Sequence, residues 1–216
     1  LVLAPILPAG TPAVVVIPAM MVAGALAGAF WGLIPGVLRA KLGVNEIITT
    51  LMLNYIAILF YQYVFTDPWK DPAGFGFPGS AEFPEYAWLP RMSGRLHIGL
   101  FLGLAAAVLV WFVFTKTRWG YEIRLIGDNP KAARYAGIDI AKYIIVVFAI
   151  SGALAGLAGM SEVSGVVHRL QDRISPGYGF TAIIIAYLAH FGPWRVVVAS
   201  ILFGALILAG REIQPS

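Results

Sequence analysis

Residues 13–34 read AVVVIPAMMVAGALAGAFWGLI and contain no charged side chain. A helix needs roughly 20 apolar residues to cross a hydrocarbon core about 30 Å thick, so this run is long enough to span a membrane. In the second half of this run and just beyond it, every fourth residue is a glycine: Gly24, Gly28, Gly32 and Gly36. On a helix these four glycines share one face, which predicts a helix that lets a neighbouring backbone approach closely.

The rest of the chain has the same character. Of its 216 residues, 59% are hydrophobic and only 12% are charged, well below the charged share of soluble domains. Four further apolar runs predict membrane crossings at residues 47–66, 97–114, 143–160 and 196–210. The third of these carries a second set of small residues, Gly152, Ala155, Gly156 and Gly159, for which we also expect close helix contact. We therefore expect an all-α, polytopic transmembrane fold, with residues 1–216 forming a single membrane domain.

A sixth apolar run, residues 180–188, is too short to cross a bilayer as a helix. It follows a polar stretch that begins at Ser161 and ends in a Ser-Pro-Gly turn at residues 175–177. A short apolar segment beside glycine and proline is typical of a broken or re-entrant helix, which protein or a water-filled cavity must cover. We expect about six membrane segments, of which this one is broken or re-entrant.

Composition argues against several classes of protein. The chain has no cysteine, which excludes disulfides and thiolate metal sites, and its net charge of +4 gives no support to nucleic-acid binding. No nucleophile with a base and an orienting group is visible, and His168 has no companion ligands, so we expect neither catalytic residues nor a metal site. The chain opens without methionine and stops abruptly after REIQPS, so we expect a fragment truncated at both ends.

Lysine and arginine indicate the orientation in the membrane. They are densest in residues 115–142, which hold six of them, and such segments face the cytoplasm. Residues 67–96, which are rich in proline, glycine and acids, are too polar for the bilayer and should form an ordered external loop.

The cytoplasmic segment contains GDNPKAARYAGI at residues 127–138. Asp128 or Asn129 can cap a helix whose first position is Pro130, and Gly137 is suited to end it. The alanines of this helix predict a smooth contact face flanked by Lys131, Arg134 and Tyr135; they are Ala132, Ala133 and Ala136. A solvated basic linker is the alternative, but a linker has no need of caps at both ends. The pattern favours a docking surface for a cytoplasmic partner.

Polar residues inside membrane spans are costly and therefore mark candidate substrate pathways. Thr50, Asn54 and Tyr61 fall near one helical face, and their neutral hydroxyl and amide groups suit sugar hydroxyls or base edges. The alternative is that Thr50 bonds its own helix carbonyl and Asn54 a neighbouring helix. In the broken region the candidate lining residues are Ser175, Tyr178, Phe180 and Thr181, with core packing as the alternative for Phe180.

Three long motifs carry a resemblance to a known family. GDNPKAARYAGI resembles the cytoplasmic coupling loop of ATP-binding-cassette importer permeases in the branched-chain amino acid, ribose and simple-sugar group. GVNEIITTLMLNYIA at residues 43–57 and RLQDRISPGYGFTAIIIAYLA at residues 169–189 resemble the nucleoside, or simple-sugar, branch of that group. The resemblance extends from about residue 18 to residue 210.

This resemblance implies the permease subunit of an ATP-driven importer of nucleosides or simple sugars in a bacterial or archaeal cytoplasmic membrane. The implied partners are ABC ATPase subunits, a second and related permease subunit, an external substrate-binding protein, the lipid bilayer and the small-molecule substrate. The chain has no G-x-x-x-x-G-K-[ST] phosphate loop, so we expect it to bind no cofactor and its partner ATPase to bind ATP-Mg. The implied ATPase-coupling residues are Gly127, Asp128, Asn129, Pro130, Ala132, Ala133, Arg134, Tyr135 and Gly137.

Two other functions compete with the importer. An ion-coupled secondary transporter commonly places a carboxylate or histidine in mid-membrane, whereas every acid here lies at the end of a span or in a loop. A membrane scaffold that transports nothing would have no reason to keep the broken region.

Overall fold

The structure is a computed structural model that describes residues 13–72, 78–93, 96–172, 174–175 and 177–213. Its α-helices are α1 (Ala13–Leu42), α2 (Glu46–Thr66), α3 (Gly99–Lys116), α4 (Arg118–Asp128), α5 (Pro130–Tyr135), α6 (Ile140–Glu162), α7 (Tyr178–Leu188) and α8 (Pro193–Ile213). A short antiparallel hairpin of β1 (Arg91–Ser93) and β2 (Leu96–His97) precedes α3. The all-α class is confirmed, with this hairpin as a small addition.

Among the described residues, five helices are long and apolar enough to cross a membrane: α1, α2, α3, α6 with its continuation to Val167, and α8. The sixth apolar helix, α7, has only 11 residues, as its short apolar run predicted. The polar break expected from Ser161 onward begins later, because a π-helical turn at Val163–Val167 prolongs α6. His168, at a φ of 59°, ends that turn by donating its backbone N–H to the Val163 carbonyl.

The chain divides into two compact units. Unit 1 comprises residues 1–100 and 122–174, and unit 2 comprises residues 101–121 and 175–216.

In unit 1, α1 and α6 pack along their glycines. A Cβ atom added at Gly28 would lie 2.2 Å from the carbonyl oxygen of Gly152, and one added at Gly156 would lie 2.1 Å from that of Gly24. Neither position therefore has room for a side chain, and the predicted close approach is confirmed. Gly159, by contrast, has nothing within 4 Å of an added Cβ, so only part of the small-residue set of α6 meets α1.

The same unit contains a hydrophobic core at one end of these helices. Its buried members come from α1, α2, the segment after α2, α6 and residues 163–170; they are Val16, Met20, Phe65, Phe83, Ala87, Leu89, Met160, Val163 and Leu170. The described residues of the predicted external loop thus form an ordered structure that closes over the helix ends. We refer to the described residues of 67–98 together with residues 163–172 as the cap.

Main-chain hydrogen bonds join the two segments of the cap. Ser80 N–H donates to the Leu170 carbonyl at 2.8 Å, and Leu89 N–H donates to the Ser164 carbonyl at 2.9 Å. The Trp88 indole stacks on the buried His168 ring, with centroids 4.1 Å apart. These contacts make the π-helical turn part of the cap. That the cap lies on the external side of the membrane remains a prediction.

Unit 2 has a much smaller core. Ile185 of α7 and Ala189, the residue that follows α7, pack with Ala199 of α8, joined by the half-buried Val196 and Phe203. Trp111 of α3 lies beside Trp194 of α8, with ring centroids 6.3 Å apart.

Candidate functional site

The helix α5 starts at a well-formed cap. The side-chain oxygen of Asn129 accepts hydrogen bonds from the backbone N–H groups of Lys131 and Ala132, both at 3.1 Å, and Pro130 occupies the first helical turn. These bonds satisfy donors that the first turn of a helix leaves without partners. Asn129 is the capping residue, which decides between the two candidates that the sequence offered.

The C-terminal end of α5 is also capped. Gly137 adopts a φ of +77° and donates its N–H to the Arg134 carbonyl, while Ile138 N–H reaches back to the Ala133 carbonyl, both at 3.0 Å. This pair of bonds is a Schellman motif, which favours glycine because L side chains rarely adopt a positive φ. The predicted end of the helix at Gly137 is therefore confirmed.

The two faces of α5 differ from the smooth surface that its alanines predicted. Ala133 is fully buried within this chain, and α5 packs against α6. Tyr135 is 94% exposed, and Lys131, Arg134 and Ala136 are exposed beside it. Ala133 consequently fixes α5 to the body of unit 1, and the surface available to a partner is the one around Tyr135.

A helix that the sequence analysis missed leads into α5. Residues 118–128 form α4, and the Tyr143 hydroxyl of α6 donates a hydrogen bond to the Glu122 carboxylate of α4. The spacing of Trp119, Ile123 and Ile126 at i, i+4 and i+7 could have predicted this helix. Residues 118–135 are therefore a helical element that is tied to α6 by the Glu122–Tyr143 hydrogen bond and by the packing of α5 against α6.

The predicted pathway residues of α2 have different surroundings. The Thr50 hydroxyl donates to its own helix, to the Glu46 carbonyl at 2.8 Å and the Ile47 carbonyl at 3.1 Å, as the alternative for threonine expected. Asn54 is half-buried, and in the described part of the chain its amide makes no hydrogen bond. A role for Asn54 in a substrate pathway stays a prediction.

Tyr61 is hydrogen-bonded to the cap. Its hydroxyl donates to the Gln171 carbonyl at 2.5 Å and accepts from the Gln171 N–H at 3.0 Å. Its ring also packs against Phe65, at a centroid distance of 4.9 Å. These contacts give Tyr61 a structural role that sequence reasoning did not anticipate, and its part in a pathway stays a prediction.

The four candidates around α7 lie in unit 2. Gly177, at a φ of +89°, is the residue before the first turn of α7, and its N–H donates to the Ser175 carbonyl. The Thr181 hydroxyl donates to the Gly177 carbonyl at 3.3 Å. Tyr178 is 39% exposed and Phe180 is 55% exposed, so Phe180 is not part of the unit 2 core. The pathway candidates of α2 lie in unit 1 and those around α7 lie in unit 2. That both groups line one substrate pathway stays a prediction.

Comparison with known proteins places these features in a family. The family described as "Branched-chain amino acid transport system / permease component" matches residues 1–214. The glucose ABC transporter permease protein TsgB13 of Haloferax volcanii is 39% identical over 94% of this chain and 56% of its own length. The guanosine ABC transporter permease protein NupP of Bacillus subtilis is 35% identical over 90% of this chain and 57% of its own length.

A nucleoside ABC transporter permease protein, NupB of Lactococcus lactis, is 34% identical over 90% of this chain and 56% of its own length. The chain thus spans a little over half the length of these relatives. No solved structure matches it. With its membrane-spanning helices and its match over residues 1–214, the chain belongs to the permease-component family of branched-chain amino acid transport systems.

Proposed function

We propose that this chain is part of the permease subunit of an ATP-driven importer, and that it carries nucleosides or simple sugars across a bacterial or archaeal cytoplasmic membrane. Relatives named for glucose, guanosine and nucleoside transport support this substrate class. The expected partners are ATPase subunits that bind ATP-Mg, a second and related permease subunit, and an external substrate-binding protein.

The observation that carries the proposal is the construction of α5. A six-residue helix is too short to be stable by itself in water, yet this one has a complete cap at each end and a fully buried alanine. These features hold Tyr135 and Arg134 in a fixed position on an exposed surface. A fixed, exposed element attached to a membrane helix is what a partner needs in order to move that helix.

The packing of unit 1 provides a route for such a movement. The packing of α5 against α6 and the Glu122–Tyr143 hydrogen bond attach α5 and α4 to α6, and the glycine contacts attach α6 to α1. Backbones in direct contact have no side chains between them that could absorb a displacement. A displacement of α5 is therefore expected to move α6 and α1 together, so that ATP binding by the partner can favour one orientation of these helices.

The chemistry of α2 is suited to uncharged polar substrates. Between Glu46 and Asp67 the chain contains no charged residue, while Asn54 offers an amide with both a donor and an acceptor. An ionic substrate would require a compensating charge within the membrane, whereas ribose hydroxyls and base edges require hydrogen bonds.

The test is uptake of labelled guanosine and glucose by vesicles that contain the full-length permease with its partner permease, ATPase and binding protein. We expect uptake with ATP, none with a non-hydrolysable analogue, and none with a sodium or proton gradient alone. Uptake driven by the gradient alone would contradict the proposal and favour the ion-coupled carrier. Absence of transport under every condition, in vesicles where the complex is intact, would favour the scaffold.

The role of α5 is tested by Tyr135→Ala, because this side chain is almost fully exposed and its loss should leave folding intact. We expect ATP-driven uptake to fall about tenfold, which corresponds to roughly 1.4 kcal/mol of lost contact with the ATPase. The matched control is Tyr63→Ala, on a tyrosine of α2 that is 59% exposed. Replacing Ala133 by a large residue is a poor test, because it would disrupt the packing of α5 itself.

A further inference from the structure

Unit 2 has an open groove on its surface. It lies between α7 and α8, has a volume of about 350 Å³, and is lined mainly by apolar side chains, among them Leu188, Val198, Ala199 and Leu202. The α8 residues recur at spacings of three and four, so they form one continuous face. At a rise of 1.5 Å per residue, the face from residue 194 to residue 202 is about 12 Å long.

One end of the groove has a different chemistry. Trp194 and Arg195 line it there, and both are exposed. The Arg195 side chain folds back over Gly192, where an added Cβ would lie only 2.6 Å from the guanidinium Nε. Trp194, in ring contact with Trp111, is the type of residue found where membrane helices enter the headgroup region. Because the candidate membrane span of α8 starts at Pro193, we expect this end of the groove at the membrane surface and the rest of it along the hydrocarbon layer.

The charge distribution of unit 2 favours an anionic ligand at this end. Within residues 101–121 and 175–211 the sequence contains no aspartate or glutamate, while the α3–α4 junction carries Lys116 and Arg118. Glu212, the one acid of unit 2, lies 17 residues beyond Arg195, about 25 Å along α8. No carboxylate of this unit therefore competes with a ligand for the Arg195 guanidinium.

We propose that this groove binds an anionic phospholipid, with an acyl chain along the apolar face of α8 and the phosphate at Arg195. An arginine at headgroup depth keeps its charge in a polar environment while the apolar wall below it contacts the hydrocarbon chain. A protein segment seated in the groove would instead cover the guanidinium and would have to bring its own counter-charge. The proposal does not depend on what the importer carries.

The test is retention of lipid by the full-length permease taken from bilayers that contain equal amounts of phosphatidylcholine and phosphatidylglycerol. Native mass spectrometry counts the lipids that remain bound to each variant. We expect wild type to retain phosphatidylglycerol preferentially, and Arg195→Gln to lower that retention about fivefold, the effect of one cation near an anionic headgroup. Arg195→Lys should keep most of it, because the charge remains.

The matched control is Lys41→Gln, which removes an exposed cation at the end of α1 in unit 1 and should leave retention unchanged. Equal phosphatidylglycerol retention by wild type and Arg195→Gln would overturn the proposal. So would retention of phosphatidylcholine as strong as that of phosphatidylglycerol, because the groove would then have no preference for charge.

A second measurement locates the lipid. Phosphatidylglycerol with a photoactivatable acyl chain should label the peptide that contains residues 188–202, and Val198→Trp should block that label by filling the groove. Val198 is 59% exposed, so this change leaves the α7–α8 contact in place, which a melting curve would check. Labelling elsewhere with none in this peptide, or a crosslink from Val198→Cys to another protein segment, would show that something other than lipid occupies the groove.

Discussion

The helix pair α1–α6 of unit 1 and the helix pair α7–α8 of unit 2 are both apolar, yet they pack in opposite ways. In the first pair, glycines oppose glycines and an added Cβ would lie 2.1–2.5 Å from a carbonyl oxygen of the partner helix at Gly28, Gly32, Gly152 or Gly156. In the second pair, three buried residues form the contact and a groove remains open beside them. Hydrophobicity alone therefore does not decide how closely two membrane helices pack.

The difference follows from what drives helix association in lipid. Lipid tails are as apolar as leucine, so apolar side chains gain little by leaving lipid for a partner helix. Small residues are different, because they let the two backbones approach until van der Waals contacts become numerous. We therefore regard α1–α6 as a fixed part of the molecule and the α7–α8 face as a surface made for lipid.

The largest expected effect comes from Gly28→Ala. The new Cβ would lie 2.2 Å from the Gly152 carbonyl oxygen, and because backbone cannot yield as a flexible side chain can, the helices must separate. We expect a loss of about 3 kcal/mol, the upper end of the usual cost of overpacking, seen as failure to accumulate or a strongly lowered melting temperature in lipid nanodiscs. The control, Gly204→Ala in α8, has nothing within 4 Å of the new Cβ and should melt like wild type. Equal melting temperatures of Gly28→Ala and Gly204→Ala would show that the glycine contacts do not make α1–α6 the more tightly packed helix pair.

A second test compares cavity formation in the two units. Met20 is fully buried in the unit 1 core, and Met20→Ala should cost about 2–5 kcal/mol. Leu202, which is 65% exposed on the groove face, should lose less than about 1 kcal/mol when changed to alanine. Thermal melting of the full-length protein measures both, and a Leu202→Ala loss as large as that of Met20→Ala would mean that another protein segment covers the groove.

Tyr61→Phe separates a structural from a transport role for this residue. The change leaves the backbone groups of Gln171 without their shared partner, at a cost of about 1–2 kcal/mol. Faster hydrogen exchange near Gln171 with an unchanged KM for uptake is expected if Tyr61 serves the cap. A raised KM with unaltered exchange would instead assign it to the pathway, and Tyr63→Phe on the same helix is the control.

The smallest effect is expected at the turn between α1 and α2. Arg39 Nε lies 3.1 Å from Glu46 Oε2, and both side chains are about 40% exposed. Exposed ion pairs contribute from nothing to about 1 kcal/mol and weaken with salt. Arg39→Gln should therefore lower the melting temperature by no more than a few degrees, and less at high ionic strength. A loss that matches Gly28→Ala would mean that this turn belongs to the rigid part of unit 1.

Much of the fold and of the coupling element could be predicted from the sequence. The long apolar runs, the short α7, a cap at Asp128 or Asn129, Pro130 and the left-handed Gly137 all depend on interactions within a few residues, which a sequence pattern specifies directly. The burial of Ala133 could not be predicted, because three alanines of similar appearance differ only in which of them the fold covers. For the same reason, Gly152 and Gly156 meet α1 whereas Gly159 does not.

The sequence by itself thus determined that this is a membrane protein of helices, which apolar runs are helical, and that a short capped helix lies between Pro130 and Gly137, because these depend on local hydrogen bonding and on the length of the apolar runs. Only the tertiary structure decided that Tyr61 serves the cap, that Glu122 meets Tyr143, and that α7 and α8 leave a groove beside Arg195. Each of these depends on residues far apart in the chain, and their meeting is set by how the helices pack.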